Sequence, residues 1–296
     1  MLFEGTYTAL VTPFADDAAR TIDWKAYEAL LESQVAGGVQ GVVPLGTTGE
    51  SPTLTETEQH EVVRRTLSIV RGRVQVIVGV GSNSTAHTVH LAQAAEKAGA
   101  DAVMAVVPYY NKPSQEGLLE HFVTIAKAVG LPVVTYNVPG RSVADLHADT
   151  LLQLLDRAAN VVATKEATGN VLRAQELVRR AGDRLAVLSG DDALTLPMIA
   201  VGARGVISVT SNLLPGDVAV ATRLALEGKH AEARRAHFAL LPLHEAMFLE
   251  PNPSPVKAAL AMQDIGNGLT RLPLLAASSA VREHLSTLLA LRAGRA

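Results

Sequence analysis

Hydrophobic positions along the chain fall into two alternating kinds of run. The short kind is apolar at nearly every position, rich in Val, Ile and Ala, and bounded by Gly, Pro, Asn or Asp. Such runs read as parallel strands buried on both faces. They lie at 7–11, 41–44, 74–78, 102–107, 133–136, 161–164, 186–188 and 205–209. The longer kind repeats its apolar residues every three or four positions. Tyr27, Leu30, Leu31 and Val35 share one helical face, and Gly37-Gly38 supplies the stop. Thr55 and Glu58 are spaced as a capping box ahead of Val62, Val63, Leu67 and Val70. Ser84 opens a helix that ends before Gly99, and further helices are predicted over 115–129, 147–157, 171–181, 192–201 and 215–227.

Eight strand–helix units at even spacing favour a closed (β/α)8 TIM barrel, an α/β fold, over an open doubly wound sheet. Beyond residue 230 the strand signal stops. Segments 231–247, 254–262 and 274–291 read as helices, with Glu250-Pro251-Asn252-Pro253-Ser254-Pro255 kinking the chain between the first two. The expected organisation is a barrel over 1–229 and a small C-terminal helical extension over 230–296, with no flexible linker.

Composition narrows the function. Hydrophobic residues make up 48% of the 296 and charged ones 19%, enough for a large core. The net charge of -3 comes without any basic run, which argues against nucleic acid and anionic membranes as partners. No apolar run reaches the roughly 18 residues of a membrane helix, and the first residues lack a signal-peptide pattern, so a cytoplasmic protein is expected. There are no cysteines, which removes thiolate nucleophiles, disulfides and Cys-type metal sites.

In a barrel, chemistry sits at the C-terminal ends of the strands. Lys165 follows the apolar run at 161–164 and projects from that rim. Desolvated lysines attack carbonyl carbon and form Schiff bases. The alternative is a structural lysine paired with Glu166. Tyr136 ends the adjacent strand and suits proton shuttling, or else a core aromatic with a satisfied hydroxyl. Thr47 and Thr48, between Gly46 and Gly49, offer hydroxyls and consecutive N–H groups for a carboxylate, or form an ordinary turn. Arg141 is placed for bidentate carboxylate recognition, or is a solvated loop charge. Asp191 and Asp192 read as helix N-caps. Gly79-Val80-Gly81 lacks the third glycine of a dinucleotide fingerprint. His87 and His90 are spaced i, i+3 with no carboxylate evident to complete a metal set. Nothing calls for a metal, a nucleotide or pyridoxal phosphate.

Six motifs carry a resemblance. They are Gly46-Thr47-Thr48-Gly49-Glu50-Ser51, Pro108-Tyr109-Tyr110-Asn111-Lys112-Pro113, Tyr136-Asn137-Val138-Pro139-Gly140-Arg141, Lys165-Glu166-Ala167-Thr168-Gly169-Asn170, Ser189-Gly190-Asp191-Asp192 and Glu250-Pro251-Asn252-Pro253-Ser254-Pro255. In this order, over almost the whole chain, they resemble the dihydrodipicolinate synthase family within the N-acetylneuraminate lyase superfamily. The resemblance implies a class I lyase that condenses pyruvate, held as an imine on Lys165, with L-aspartate 4-semialdehyde, on the route to diaminopimelate and lysine. It assigns Tyr136, Thr47 and Tyr110 to a proton relay, with Tyr110 reaching in from a neighbouring subunit of a homotetramer. Thr48 joins Thr47 at the pyruvate carboxylate, Arg141 takes the semialdehyde carboxylate, and Gly190 and the Ile207 backbone line the site. No cofactor is implied. Tyr109 is expected to pack at the subunit interface.

Two rivals share parts of this pattern: a sister aldolase acting on a sugar acid or 4-hydroxy-2-oxoglutarate, and a non-catalytic barrel that binds 2-oxo acids. Arg141 and the Tyr109-Tyr110 pair favour the synthase over the first; intact Lys165, Tyr136 and Thr47 argue against the second. Lysine-inhibited members of the family bind lysine between subunits. Ser51, Asn83 and Tyr109 match that pocket, but Glu56 and Gln59 replace its histidines and His87 replaces its glutamate. Weak or absent inhibition by lysine is therefore expected.

Overall fold

The computed structural model describes residues 3–294. Eight parallel strands pair in sequence order and close on themselves: β1 (Gly5–Ala9), β2 (Gly41–Val43), β3 (Gln75–Gly79), β4 (Ala102–Val106), β5 (Val133–Asn137), β6 (Val161–Glu166), β7 (Ala186–Ser189) and β8 (Gly205–Ser208). Closure is made by β1 against β8, with Tyr7 opposite Ile207. Helices α1 (Trp24–Ala36), α2 (Glu56–Val70), α3 (Thr85–Ala98), α4 (Gln115–Ala128), α5 (Pro139–Ser142), α6 (Ala148–Arg157), α7 (Val171–Ala181), α8 (Thr195–Ala200) and α9 (Pro215–Leu226) fill the connections. Then come α10 (His230–Ala246), α11 (Ser254–Ala261) and α12 (Ser279–Ala293). This is the (β/α)8 barrel with C-terminal helices that the alternating pattern predicts. Among the described residues no helix is long and apolar enough to cross a membrane.

Six of these helices, α1, α2, α3, α4, α7 and α12, start where a polar side chain accepts from an N–H of the first turn. Thr55 and Glu58 form the complete capping box of α2. Ser84 accepts from the His87 N–H, and α3 ends at Gly99 with φ 93°, a left-handed conformation that suits glycine. The core has two layers. Phe3, Tyr7, Ile77, Met104, Leu188 and Ile207 pack inside the barrel. A larger layer lies between sheet and helices, and Leu243, Ala246, Val256 and Ala259 of the C-terminal helices belong to it.

Several boundaries differ from the periodic reading. β6 runs on through Lys165 and Glu166, because its neighbours continue too: Lys165 pairs with Tyr136 and Leu188, and Glu166 with Asn137 and Ser189. Lys165 is thus a strand residue rather than the first residue after one. Segment 192–201 divides into a 3-10 turn, Asp192–Leu194, and the short α8. Asp191 caps that turn by accepting from the Ala193 N–H. Asp192 is no cap. It is buried and accepts from the backbone of Val209 at 2.8 Å and Thr210 at 3.1 Å, and from the Ser208 hydroxyl, so it ties β7 to the end of β8. α12 begins at Ser279 rather than 274, with Ser278 as its N-cap accepting from the Val281 N–H.

Candidate active site

Lys165 and Tyr136 stand side by side in register on β6 and β5. The Lys165 Nζ lies 4.3 Å from the centre of the Tyr136 ring, and the lysine is only 5% exposed. Its sequence neighbour Glu166 is engaged elsewhere, pairing with Arg173 at 2.8 Å and accepting from the Thr168 N–H at 2.9 Å. The structural ion pair considered for Lys165 therefore does not form.

A cavity of about 240 Å3 opens at the same rim. Thr47, Tyr136 and Arg141 supply its main polar groups, and Met104, Val106 and Val138 its apolar walls. Arg141 is the one charged residue in the lining, and no ion pair occupies it among the described residues. A small, partly apolar chamber with a free guanidinium and hydroxyls favours small carboxylates. Arg141 reaches this position because Pro139 starts the helical turn α5, a turn the sequence pattern did not predict. Val143 closes that turn with φ 66°, a strained conformation for a β-branched residue.

The Thr47–Gly49 turn is brought close to the barrel by Gly79. A Cβ there would stand 2.3 Å from the Leu45 carbonyl oxygen, so β3 admits the β2 loop only as glycine. That requirement accounts for Gly79 without any nucleotide. Gly190 is similarly constrained: a Cβ would lie 2.6 Å from that of Ala167. Its N–H donates to the Glu166 carbonyl at 2.7 Å.

The predicted residues thus come together unevenly. Thr47, Tyr136 and Arg141 line one cavity, with Lys165 against the Tyr136 ring. Thr48, Gly190 and Ile207 share the rim but are not part of that lining; Thr48 is turned towards Asn252, and Ile207 is packed in the barrel interior. Tyr110 is 87% exposed, with φ 74°, and points out of its own barrel, while Tyr109 lines the cavity. His90 meets a carboxylate on the neighbouring helix: Glu56 of α2 lies 2.7 Å from its Nε2. The contact joins two different helices, which spacing along one helix cannot show. His87 stacks on His90, and no metal-binding group of three such residues occurs among the described residues. Lys257 went unremarked in sequence, and Asn252 was named only as part of the Glu250-Pro251-Asn252-Pro253-Ser254-Pro255 motif, with no role of its own. The available signal was a lone lysine in the apolar run Pro255-Val256-Lys257-Ala258-Ala259-Leu260.

The sequence profile of the dihydrodipicolinate synthetase family matches residues 2–291. The chain belongs to this family. A 4-hydroxy-tetrahydrodipicolinate synthase from Sorangium cellulosum is 56% identical over 282 residues, which is 95% of this chain and 93% of the relative. The synthase structure from Methylacidiphilum fumariolicum superposes with a TM-score of 0.96 at 47% identity, covering 99% of this chain and 97% of the other. An Acinetobacter baumannii dihydrodipicolinate synthase, solved in complex with pyruvate, superposes with a TM-score of 0.95 at 38% identity, over 98% and 99% of the two chains. Within this family fold, Lys165, Tyr136, Thr47 and Arg141 sit where the strands end, the face of a barrel that carries chemistry.

Proposed function

We propose that this chain condenses pyruvate with L-aspartate 4-semialdehyde to give 4-hydroxy-tetrahydrodipicolinate, with Lys165 as the imine-forming residue. The observation that carries the reading is a buried lysine without a carboxylate partner, set against a tyrosine beside an anion-selecting cavity. Relatives that bear the synthase name across their full length support the choice of substrates.

The Lys165 amine adds to the pyruvate C2 carbonyl, and the carbinolamine loses water to become an imine. Loss of a proton from C3 gives an enamine, and C3 attacks the aldehyde carbon of the second substrate. The new alkoxide takes a proton. The substrate's own amino group then adds at C2, closes the ring and expels the Lys165 amine. Each step moves a proton, and the Tyr136 phenol is the group beside the lysine to move it. Thr47 continues the relay, Thr47 and Thr48 hold the pyruvate carboxylate, and Arg141 holds that of the semialdehyde. Gly190 and the Ile207 backbone stand at the rim beside the cavity, where the resemblance places them next to the substrate. The direct test offers pyruvate with the semialdehyde and, separately, with sugar aldehydes. The semialdehyde should be preferred by at least about a hundredfold in kcat/KM, because a site with a free guanidinium discriminates against partners lacking the carboxylate. A preference for a sugar aldehyde would favour the sister-aldolase reading.

The exposure of Tyr110 supports a shared site, with this residue serving a neighbouring copy in a homotetramer. Inactive Tyr110→Phe and Lys165→Ala proteins, mixed under conditions of subunit exchange, should then recover activity, up to about a quarter of the wild-type level if copies pair at random. Mixtures that exchange subunits and stay inactive would place Tyr110 within its own chain.

Lysine should inhibit poorly. Glu56, the one acid able to replace the missing glutamate, is already engaged by His90, which holds its carboxyl below the usual range. Gln59 is spent on the carbonyls of Ser51 and Leu54 at 3.1 and 3.2 Å. Initial rates at saturating pyruvate should be unchanged in submillimolar lysine. Half-inhibition in that range would show that Glu56 leaves His90 for the ligand.

A further inference from the structure

The loop that carries Thr47 and Thr48 is fastened by two contacts from the C-terminal segment. Asn252, in the turn between α10 and α11, is buried, and its Nδ2 donates to the Thr48 Oγ1 at 3.0 Å. Among the described residues that is the amide's one side-chain hydrogen bond, and its buried Oδ1 has no partner. Two residues beyond Thr48, Glu50 holds a left-handed backbone, φ 54° and ψ 33°, unusual for a residue with a side chain. The Glu50 carboxylate forms a fully buried ion pair with Lys257 of α11 and also accepts from the Arg271 N–H at 3.0 Å. The Lys257 ammonium donates in addition to the Leu269 carbonyl at 2.9 Å and lies 4.0 Å from the centre of the Phe14 ring.

Neither tether is explained by stability alone. Burying an ion pair costs about as much in lost hydration as the attraction returns. Leaving an amide oxygen unpaired in the core is also unfavourable. What both contacts achieve is geometry at one short segment. By accepting from Asn252, the Thr48 oxygen uses a lone pair, and its own proton is left to donate elsewhere. By neutralising Glu50, Lys257 removes an uncompensated anion from the residue that ends a turn expected to hold a carboxylate.

We propose that Asn252 and Lys257 are positioning residues for 2-oxo acid binding: through Thr48 and Glu50 they set the Thr47–Thr48 turn as a carboxylate receptor. The C-terminal extension is then part of the active-site apparatus without touching the reacting atoms. This inference rests on the reading of Lys165 as an imine former and of Thr47 and Thr48 as the pyruvate-binding pair.

The test measures the pyruvate concentration that half-saturates borohydride capture, together with KM for each substrate and Tm. Asn252→Ala should raise the pyruvate values about tenfold, the effect of one orienting hydrogen bond, and leave KM for the semialdehyde within about twofold. Asn252→Asp keeps the packing volume and guards against a folding failure. It should raise the pyruvate values further, because its carboxylate reclaims the Thr48 proton and adds a like charge. Lys257→Met combined with Glu50→Gln should leave Tm nearly unchanged and still weaken pyruvate selectively. Variants whose Tm falls while pyruvate saturation is unaltered would overturn the proposal, and so would equal increases in both KM values. Wild-type protein that captures no pyruvate at all would instead overturn the functional reading, and the inference with it.

Discussion

Replacing Lys165 with alanine should abolish turnover, lowering kcat by about 10^4-fold or more, because the imine and the enamine both need its nitrogen. Lys165→Arg should be as inactive, since a guanidinium keeps its charge and forms no imine under these conditions. Folding should survive both changes. Lys165 makes no ion pair with its neighbour Glu166, which stays bound to Arg173. The assay is product formation from pyruvate and the semialdehyde, with circular dichroism as the control. A well-folded Lys165→Ala protein retaining a tenth of wild-type activity would remove the covalent step from the account.

The second large effect separates binding from proton transfer. Tyr136→Phe keeps the ring that packs against the Lys165 amine and deletes only the phenol. Loss of a positioned acid–base group costs roughly 10^2–10^4 in rate, and kcat should fall by that order. Pyruvate should still be captured on the lysine at one equivalent per chain, but slowly, because dehydration of the carbinolamine is among the steps that lose their proton donor. Stopped-time borohydride capture reads the rate and the final amount separately. An unchanged kcat would make Tyr136 a packing residue. A capture amplitude that falls in proportion to rate would mean that the phenol also builds the binding site.

Much of this was legible in the chain. The strands are apolar on both faces and bounded by turn residues, and that pattern survives any error of one or two residues at an end. Lys165, Tyr136, Thr47 and Arg141 each had an ordinary structural explanation taken alone; they stood out because they fall together on the predicted rim and inside the motifs that carry the resemblance. Less legible was anything fixed by a contact between distant segments. β6 reaches Glu166 because Asn137 and Ser189 extend its ladder from either side. Asp192 looked like a second cap until the backbone of Val209 and Thr210 was seen to converge on it. Glu56 and His90 are 34 positions apart and meet only because α2 and α3 are neighbours. Asn252 and Thr48 are separated by 204. Periodicity describes which face of an element is buried. It carries no information about which buried polar group answers which other, and those answers decide how the Thr47–Thr48 turn and the lysine are held.

Covalent capture of pyruvate tests the central claim most directly. The wild-type protein is incubated with pyruvate, reduced with borohydride, weighed intact and mapped by peptide mass. The mechanism predicts one reduced pyruvate adduct per chain, confined to Lys165 and absent without pyruvate. An unmodified chain, or an adduct on another lysine with Lys165 untouched, would contradict it.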